Sequence, residues 1–106
     1  MSDIQKKIAE TVSNHPIVMF VKGSPGMPQC GFSKAVMDIF DHLGVQYQTV
    51  DVLSDPEVRE GIKQFTQWPT IPQVFINGEF IGGCDIVRDL FAKGELEDMV
   101  KAVAKK

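Results

Sequence analysis

The stretch Pro16-Ile17-Val18-Met19-Phe20-Val21-Lys22-Gly23-Ser24-Pro25-Gly26-Met27-Pro28-Gln29-Cys30-Gly31-Phe32-Ser33 decides how this chain is read. Ile17 to Lys22 is apolar at every position up to Val21, the pattern of a strand buried on both faces. Gly23 to Gln29 alternates glycines and prolines with small polar residues and reads as a loop. Cys30 stands where the next helix begins; its buried face is Val36, Ile39, Phe40 and Leu43, and Gly44 caps its end. Upstream, Ile4, Ile8 and Val12 fall on one stripe of a helix over Asp3 to Asn14, and Pro16 ends it.

Downstream, Val45 to Val52 reads as a strand with an irregularity. Ser54-Asp55-Pro56-Glu57 supplies a cap residue, an early proline and a Glu three places after Ser54, which starts a third helix buried through Val58, Ile62 and Phe65. Gln73 to Asn77 and Glu79 to Ile81 are short strands joined through Asn77-Gly78, a strong hairpin signal. Asp85 reads as the N-cap of a helix carrying Ile86, Leu90 and Phe91 that stops near Gly94, and a last helix uses Leu96, Val100 and Val103. The strand–helix–strand unit predicts a parallel pair with a right-handed crossover, and the terminal hairpin adds antiparallel strands. The expectation is therefore an α/β fold with a mixed four-stranded sheet and helices on both faces. That order is similar to the thioredoxin architecture.

Composition sets outer limits. At 106 residues the chain is expected to form one domain over 1–106. A hydrophobic fraction of 43% and a charged fraction of 24% are those of an ordinary folded chain, which argues against disorder. Ile17 to Val21 is the longest apolar run, far short of the roughly 20 residues a membrane span needs, so no membrane is expected. A net charge of −3 without a basic stripe argues against nucleic acid. Two cysteines give no disulfide framework, which fits a reducing compartment. The opening residues carry neither an apolar secretory core nor an Arg-rich transit pattern, so the expected location is cytoplasmic.

Cys30 is the candidate reactive centre. A thiol of pKa about 8.5 is mostly protonated at neutral pH, whereas the thiolate is both nucleophile and metal ligand. The unpaired N–H groups and partial positive charge of a helix start favour the anion, as would Lys22 at the end of the preceding strand. Three places on, where a dithiol oxidoreductase has its resolving Cys, stands Ser33. On composition alone, a small buried cysteine accounts for Cys30 equally well.

The surrounding motifs decide between those readings. Gly23-Ser24-Pro25-x-x-Pro28-x-Cys30-Gly31-Phe32-Ser33, Trp68-Pro69-Thr70-Ile71-Pro72-Gln73 and Gly82-Gly83-Cys84-Asp85, in this order and spacing, closely resemble the Cys-Gly-Phe-Ser class of monothiol glutaredoxins. The resemblance runs from Asn14 to Gly94 and implies a thioredoxin-like (glutaredoxin) fold with a glutathione site across the carboxyl ends of the strands. It implies that Lys22 and Arg59 hold the glycine carboxylate of glutathione. The Thr70-Ile71-Pro72 turn, with a cis proline, pairs with the tripeptide as an added strand. Gly83, Cys84 and Asp85 take the γ-glutamyl end through helix N–H groups and the Asp85 carboxylate.

Without the resemblance, Lys22 and Arg59 read more simply as solvated charges, and Asp85 as a cap. Gln64 is a further candidate for a carboxylate contact, and Trp68 reads as packing beneath the site. Cys84 is left without an assigned thiol role. His15 and His42 read as surface or cap residues, and two Cys with two His at these spacings do not make a zinc site.

A [2Fe-2S] cluster takes four thiolates. The resemblance implies that Cys30 from each of two chains, with two glutathiones, completes that set in a homodimer. The expected function is carriage and transfer of the cluster to apo iron–sulfur client proteins, with a BolA-like protein as a further partner. The alternative is a glutathione-dependent thiol–disulfide oxidoreductase acting through Cys30 on glutathionylated proteins. A third reading is an interaction module without redox chemistry.

Overall fold

The apolar run becomes strand β1 (Ile17–Val21), and its two faces seed two separate cores. Ile17, Met19 and Val21 point into one core, Val18 and Phe20 into the other, as the two-residue period of a strand requires. All five side chains are at most 2% exposed, so a one-residue slip would exchange two filled faces. The computed structural model describes residues 2–104.

Around β1 the chain forms α1 (Asp3–Asn14), β2 (Gly23–Ser24), β3 (Met27–Pro28), α2 (Gly31–His42), β4 (Gln48–Asp51), α3 (Pro56–Thr66), β5 (Gln73–Ile76), β6 (Glu79–Gly82), α4 (Cys84–Ala92) and α5 (Glu95–Ala104). The main sheet has the order β4-β1-β5-β6. β1 pairs with β4 in parallel, with Val18 opposite Gln48, and with β5 antiparallel, with Phe20 opposite Gln73. β5 and β6 form the expected hairpin, with Asn77 in the left-handed region at φ 54°. This is the mixed four-stranded sheet that the element order predicts.

Helices cover both faces. The first core joins Ile17, Met19 and Val21 to Val36, Met37 and Phe40 of α2, Val87 of α4, and Leu96, Val100 and Val103 of α5. The second joins Val18, Phe20 and Phe75 to Ile8 and Val12 of α1 and Ile62 of α3. Phe20 and Phe75 meet edge-on with ring centres 5.7 Å apart, a favoured aromatic geometry.

Four local expectations need correction. The loop after β1 is not wholly irregular: β2 and β3 pair as a miniature hairpin, Gly23 opposite Pro28. The strand read over 45–52 is regular only over Gln48–Asp51, where it has β1 to pair with. The third helix is capped by Asp55, whose carboxylate accepts from the N–H groups of Glu57 and Val58, while Ser54 instead donates to Asp51 O. α4 starts two residues earlier than expected: Gly83 is its N-cap, and Asp85 lies inside the first turn. Gly83 is extended there and lets the helix begin at Cys84. A carboxylate within the first turn still meets the favourable end of the helix dipole.

Phe20→Ala is expected to destabilise the protein by about 3–5 kcal/mol, because it leaves a cavity against Phe75. Removing the α3 cap with Asp55→Ala costs about 1 kcal/mol. Denaturant midpoints of the two variants against the parent check both values and their order.

Candidate functional site

Strand direction determines where chemistry can gather. β6 pairs antiparallel with β5, which pairs antiparallel with β1, so β1, β4 and β6 all run the same way. Their carboxyl ends, and the residues just before β5, lie at one edge of the sheet. The starts of α2, α3 and α4 follow those ends, and three helix N-termini therefore converge with their unpaired N–H groups and partial positive charge.

A groove of about 420 Å³ opens at this edge, a size ordinary for a small-molecule site. The site residues implied by the resemblance all line it: Lys22 and Cys30, Arg59, Thr70 with Ile71 and Pro72, and Gly83 with Cys84 and Asp85. Phe32, Lys63, Trp68, Pro69 and Ile86 complete the lining. Gln64 is not among them; it faces an adjoining depression with Glu60 and Gln67.

Cys30 is the N-cap of α2 and partly exposed, with extended backbone at φ −150° and ψ 134°. Its thiol is held below the usual range, chiefly by the backbone N–H of Ser33. Partial burial opposes this, while the Phe32 N–H, the Lys22 charge and the Ser33 hydroxyl add to it. Ser33 is thus more than a missing thiol. It is fully buried, and its Oγ accepts the Lys22 N–H at 3.1 Å, tying the end of β1 to the first turn of α2. The sequence marked Ser33 only as a vacancy in the dithiol pattern; its position one helical turn after a helix-start thiol was the available signal.

The approach to Cys30 is braced from the other side. Gln29 N–H donates to Lys22 O at 2.9 Å, and Gly23 N–H to the Asp51 carboxylate at 3.0 Å. Gly23 has φ +96°, and a Cβ there would lie 2.5 Å from Met27 O, so the hairpin accepts no side chain at this position. Two large apolar side chains remain exposed near the thiol: Met27 at the hairpin tip, at 67%, and Phe32 in the groove wall, at 59%.

The groove's far wall is the turn before β5. The Ile71–Pro72 peptide is cis, as the resemblance implies. The backbone N–H and C=O of Ile71 enter no turn, loop or cap hydrogen bond among the described residues. Gly83 passes so close that a Cβ would lie 3.1 Å from Pro72 O and 3.4 Å from Trp68 Nε1. Trp68 packs edge-on against Phe80, the supporting role expected of it.

Charge is distributed unevenly around the lining. Lys22, Arg59 and Lys63 come from β1's end and α3, whereas Asp85 comes from α4, beyond the opposite edge strand β6. Lys22 and Arg59 make no salt bridge among the described residues, and Lys63 only a long one of 3.9 Å to Glu60. Arg59 Nε and Trp68 Nε1 are buried donors without a protein partner, an arrangement that favours a ligand rich in acceptors. Cys84 is buried, at 8% exposure, whereas Cys30 is partly exposed. No group of three or more His, Cys, Asp or Glu side chains able to hold a metal occurs among the described residues. No described helix is long and apolar enough to cross a membrane.

Comparison with known proteins agrees with this geometry. The Glutaredoxin family model matches residues 17–81. A probable monothiol glutaredoxin 2 of Rickettsia conorii is 50% identical over 97 residues, covering 92% of this chain and 91% of that one. The mitochondrial monothiol glutaredoxin-5 of Saccharomyces cerevisiae is 45% identical over 103 residues, covering 94% and 69%. Among solved structures, a buckwheat glutaredoxin–glutathione complex matches with a TM-score of 0.85 at 32% identity, over 94% of this chain and 89% of that one.

The rate of Cys30 alkylation against pH should show a midpoint below the ordinary thiol value of about 8.5. Ser33→Ala and Lys22→Gln should each move the midpoint upward. Because the folded thiol titrates below the unfolded one, ionisation of Cys30 adds stability that is complete above about pH 8.5 and is lost as pH falls through the lower folded value. The stability difference between the parent and Cys30→Ser should shrink on acidification, as urea unfolding at several pH values will measure.

Proposed function

This chain belongs to the glutaredoxin family, and from that premise we propose that it carries a [2Fe-2S] cluster as cargo between two copies of itself and delivers it to apo iron–sulfur proteins. The observation that carries this reading is the supply of thiolates. Cys30 is the accessible sulfur of the groove, Cys84 is buried, and position 33 holds a buried hydroxyl. A [2Fe-2S] cluster takes four thiolates. Two copies contribute two Cys30 sulfurs, and two glutathione thiolates make up the set.

The lining suits glutathione, an extended peptide with charges of both signs. Lys22 and Arg59 would take its glycine carboxylate, with the buried Arg59 Nε supplying a donor that has no other use. The free backbone edge of Ile71, in the Thr70-Ile71-Pro72 turn, would pair with the tripeptide as an added strand. The Gly83-Cys84-Asp85 start of α4 would hold the γ-glutamyl end, N–H groups on its carboxylate and Asp85 on its ammonium. Exposed Phe32 and Met27 give the second copy an apolar surface beside the cluster. A BolA-like protein in place of one copy is the alternative assembly under the same reading. A glutathione-rich reducing compartment is required; we favour the cytoplasm, while the yeast relative carries a mitochondrial designation.

The lowered thiol pKa of Cys30 also favours a second reading, a thiol–disulfide oxidoreductase. The Cys30 thiolate attacks the glutathione sulfur of a protein–glutathione disulfide, and the protein leaves as its thiolate. A second glutathione thiolate then attacks that sulfur, releasing glutathione disulfide and regenerating the Cys30 thiolate. Ser33 does not obstruct this sequence, because the resolving thiol comes from solution.

Anaerobic reconstitution with iron, sulfide and glutathione separates the readings. The parent is expected to gain a [2Fe-2S] absorbance spectrum together with a dimer mass, and both should vanish without glutathione or in Cys30→Ser. A stable cluster in Cys30→Ser would refute the ligand assignment. Brisk Cys30-dependent turnover in a glutathione-coupled reduction assay, with no cluster formed, would move the conclusion to the enzyme.

A further inference from the structure

We infer that Gln73 is a positioning residue for the tripeptide-binding turn: its buried amide fixes the backbone of Trp68 to Pro72 and thereby sets glutathione affinity without touching the ligand. The inference rests on the glutathione reading above. Gln73 opens β5, is 0% exposed and is absent from the groove lining. Few polar side chains are so completely withdrawn from water; Ser33 is the other in this core.

The segment from Gln67 to Pro72 joins the end of α3 to β5 and belongs to neither. Gln67 leaves the helix in the left-handed region, at φ 60°. The backbone groups that follow have no ladder to satisfy them, and the Gln73 side chain stands in for one. Its Nε2 donates to Trp68 O and to Thr70 O, both at 3.0 Å. Its Oε1 lies 2.8 Å from Thr66 Oγ1, whose single hydrogen it shares with Ile62 O at 3.0 Å, and Thr66 Oγ1 in turn accepts the Trp68 N–H at 3.1 Å. Both amide hydrogens and the amide oxygen are thus engaged.

That pattern admits only an amide. A carboxylate at position 73 has no hydrogen for either carbonyl, and a thioether of similar length offers neither donor nor a strong acceptor. Either change takes the donor away from both carbonyls, at a position that is itself fully buried. The carbonyls held are those of Trp68 and Thr70, immediately before Ile71, whose free N–H and C=O are the edge offered to an extended peptide. Preorganising that edge lowers the ordering cost of binding. The network includes neither Cys30, Ser33 nor Lys22, so it governs the tripeptide without governing the thiolate.

The test compares the parent with Gln73→Glu, Gln73→Met and Thr66→Val. Three quantities are read: glutathione affinity by calorimetric titration, hydrogen exchange at the Trp68 amide, and the pH midpoint of Cys30 alkylation. Both Gln73 variants should bind glutathione about tenfold more weakly or worse, and Thr66→Val less severely in the same direction. Exchange should quicken at Trp68, whose N–H is the one amide of the turn held by this network, while the central strands keep their protection, and the alkylation midpoint should stay in place. Unchanged affinity and exchange in folded variants overturns the inference, as does a loss of protection spread over the whole sheet. Should both Gln73 variants fail to fold, Thr66→Val decides by the same criteria. A parent that binds no glutathione overturns the functional reading instead, and the exchange measurements still judge Gln73.

Discussion

One reversed strand creates this site. β5 lies between β1 and β6 and runs against both, so the residues entering β5 meet the residues leaving its neighbours. Had the last two strands run with β1, the Ile71–Pro72 turn and the start of α2 would sit at opposite edges. The reversal instead brings a peptide edge, a helix-start thiol and two further helix starts to a single groove. Two filled cores hold the reversal in place, because β1 and β5 are buried on both faces and neither tolerates a shift in register.

Within the groove, binding and reactivity rest on different supports. The thiolate is favoured by backbone N–H groups of Ser33 and Phe32 and by Lys22, all fixed by the junction of β1 and α2. The opposite wall depends on the Thr66–Gln73 network and on the close passage of Gly83 beneath Trp68. Under the proposed function, the groups that would hold the ligand and those that charge the sulfur share a cavity and the Lys22 side chain, but few hydrogen bonds. Two donors in the lining residues, Arg59 Nε and Trp68 Nε1, are buried and unpaired among the described residues.

Much of this was legible in the sequence, and the omissions have physical causes. Strict periodicity revealed the helices, since Ile8 and Val12 or Val36 and Phe40 must share a face to be buried together. Asn77-Gly78 announced the hairpin because few other pairs accept its positive φ angles. Cys30, the 70–72 turn and Gly83 to Asp85 belong to the three motifs, Lys22 and Arg59 rest on the resemblance alone, and all of them line one cavity, with Lys63 and Ile86 carrying no signal in the sequence. The cap of α3 was misread because Ser54 and Asp55 are both good caps; which one serves depends on Ser54 being drawn back to Asp51 O. Asp85 was misread because a glycine N-cap carries no side-chain signal. The Gln73 network escaped notice for a different reason. Glutamine is ordinarily a surface residue, and only the irregular path from 67 to 72 gives its buried amide three partners, on Thr66, Trp68 and Thr70.

Ser33 carries a wider consequence. Its oxygen already accepts the Lys22 amide hydrogen and its place is buried, so the position one helical turn after Cys30 supplies no second thiol. Under the proposed function, every event at this sulfur draws on an external reservoir of small thiols. Loading and unloading would then track the cell's nutritional and oxidative balance, and a lone hydroxyl would set how strongly the protein is slaved to that supply.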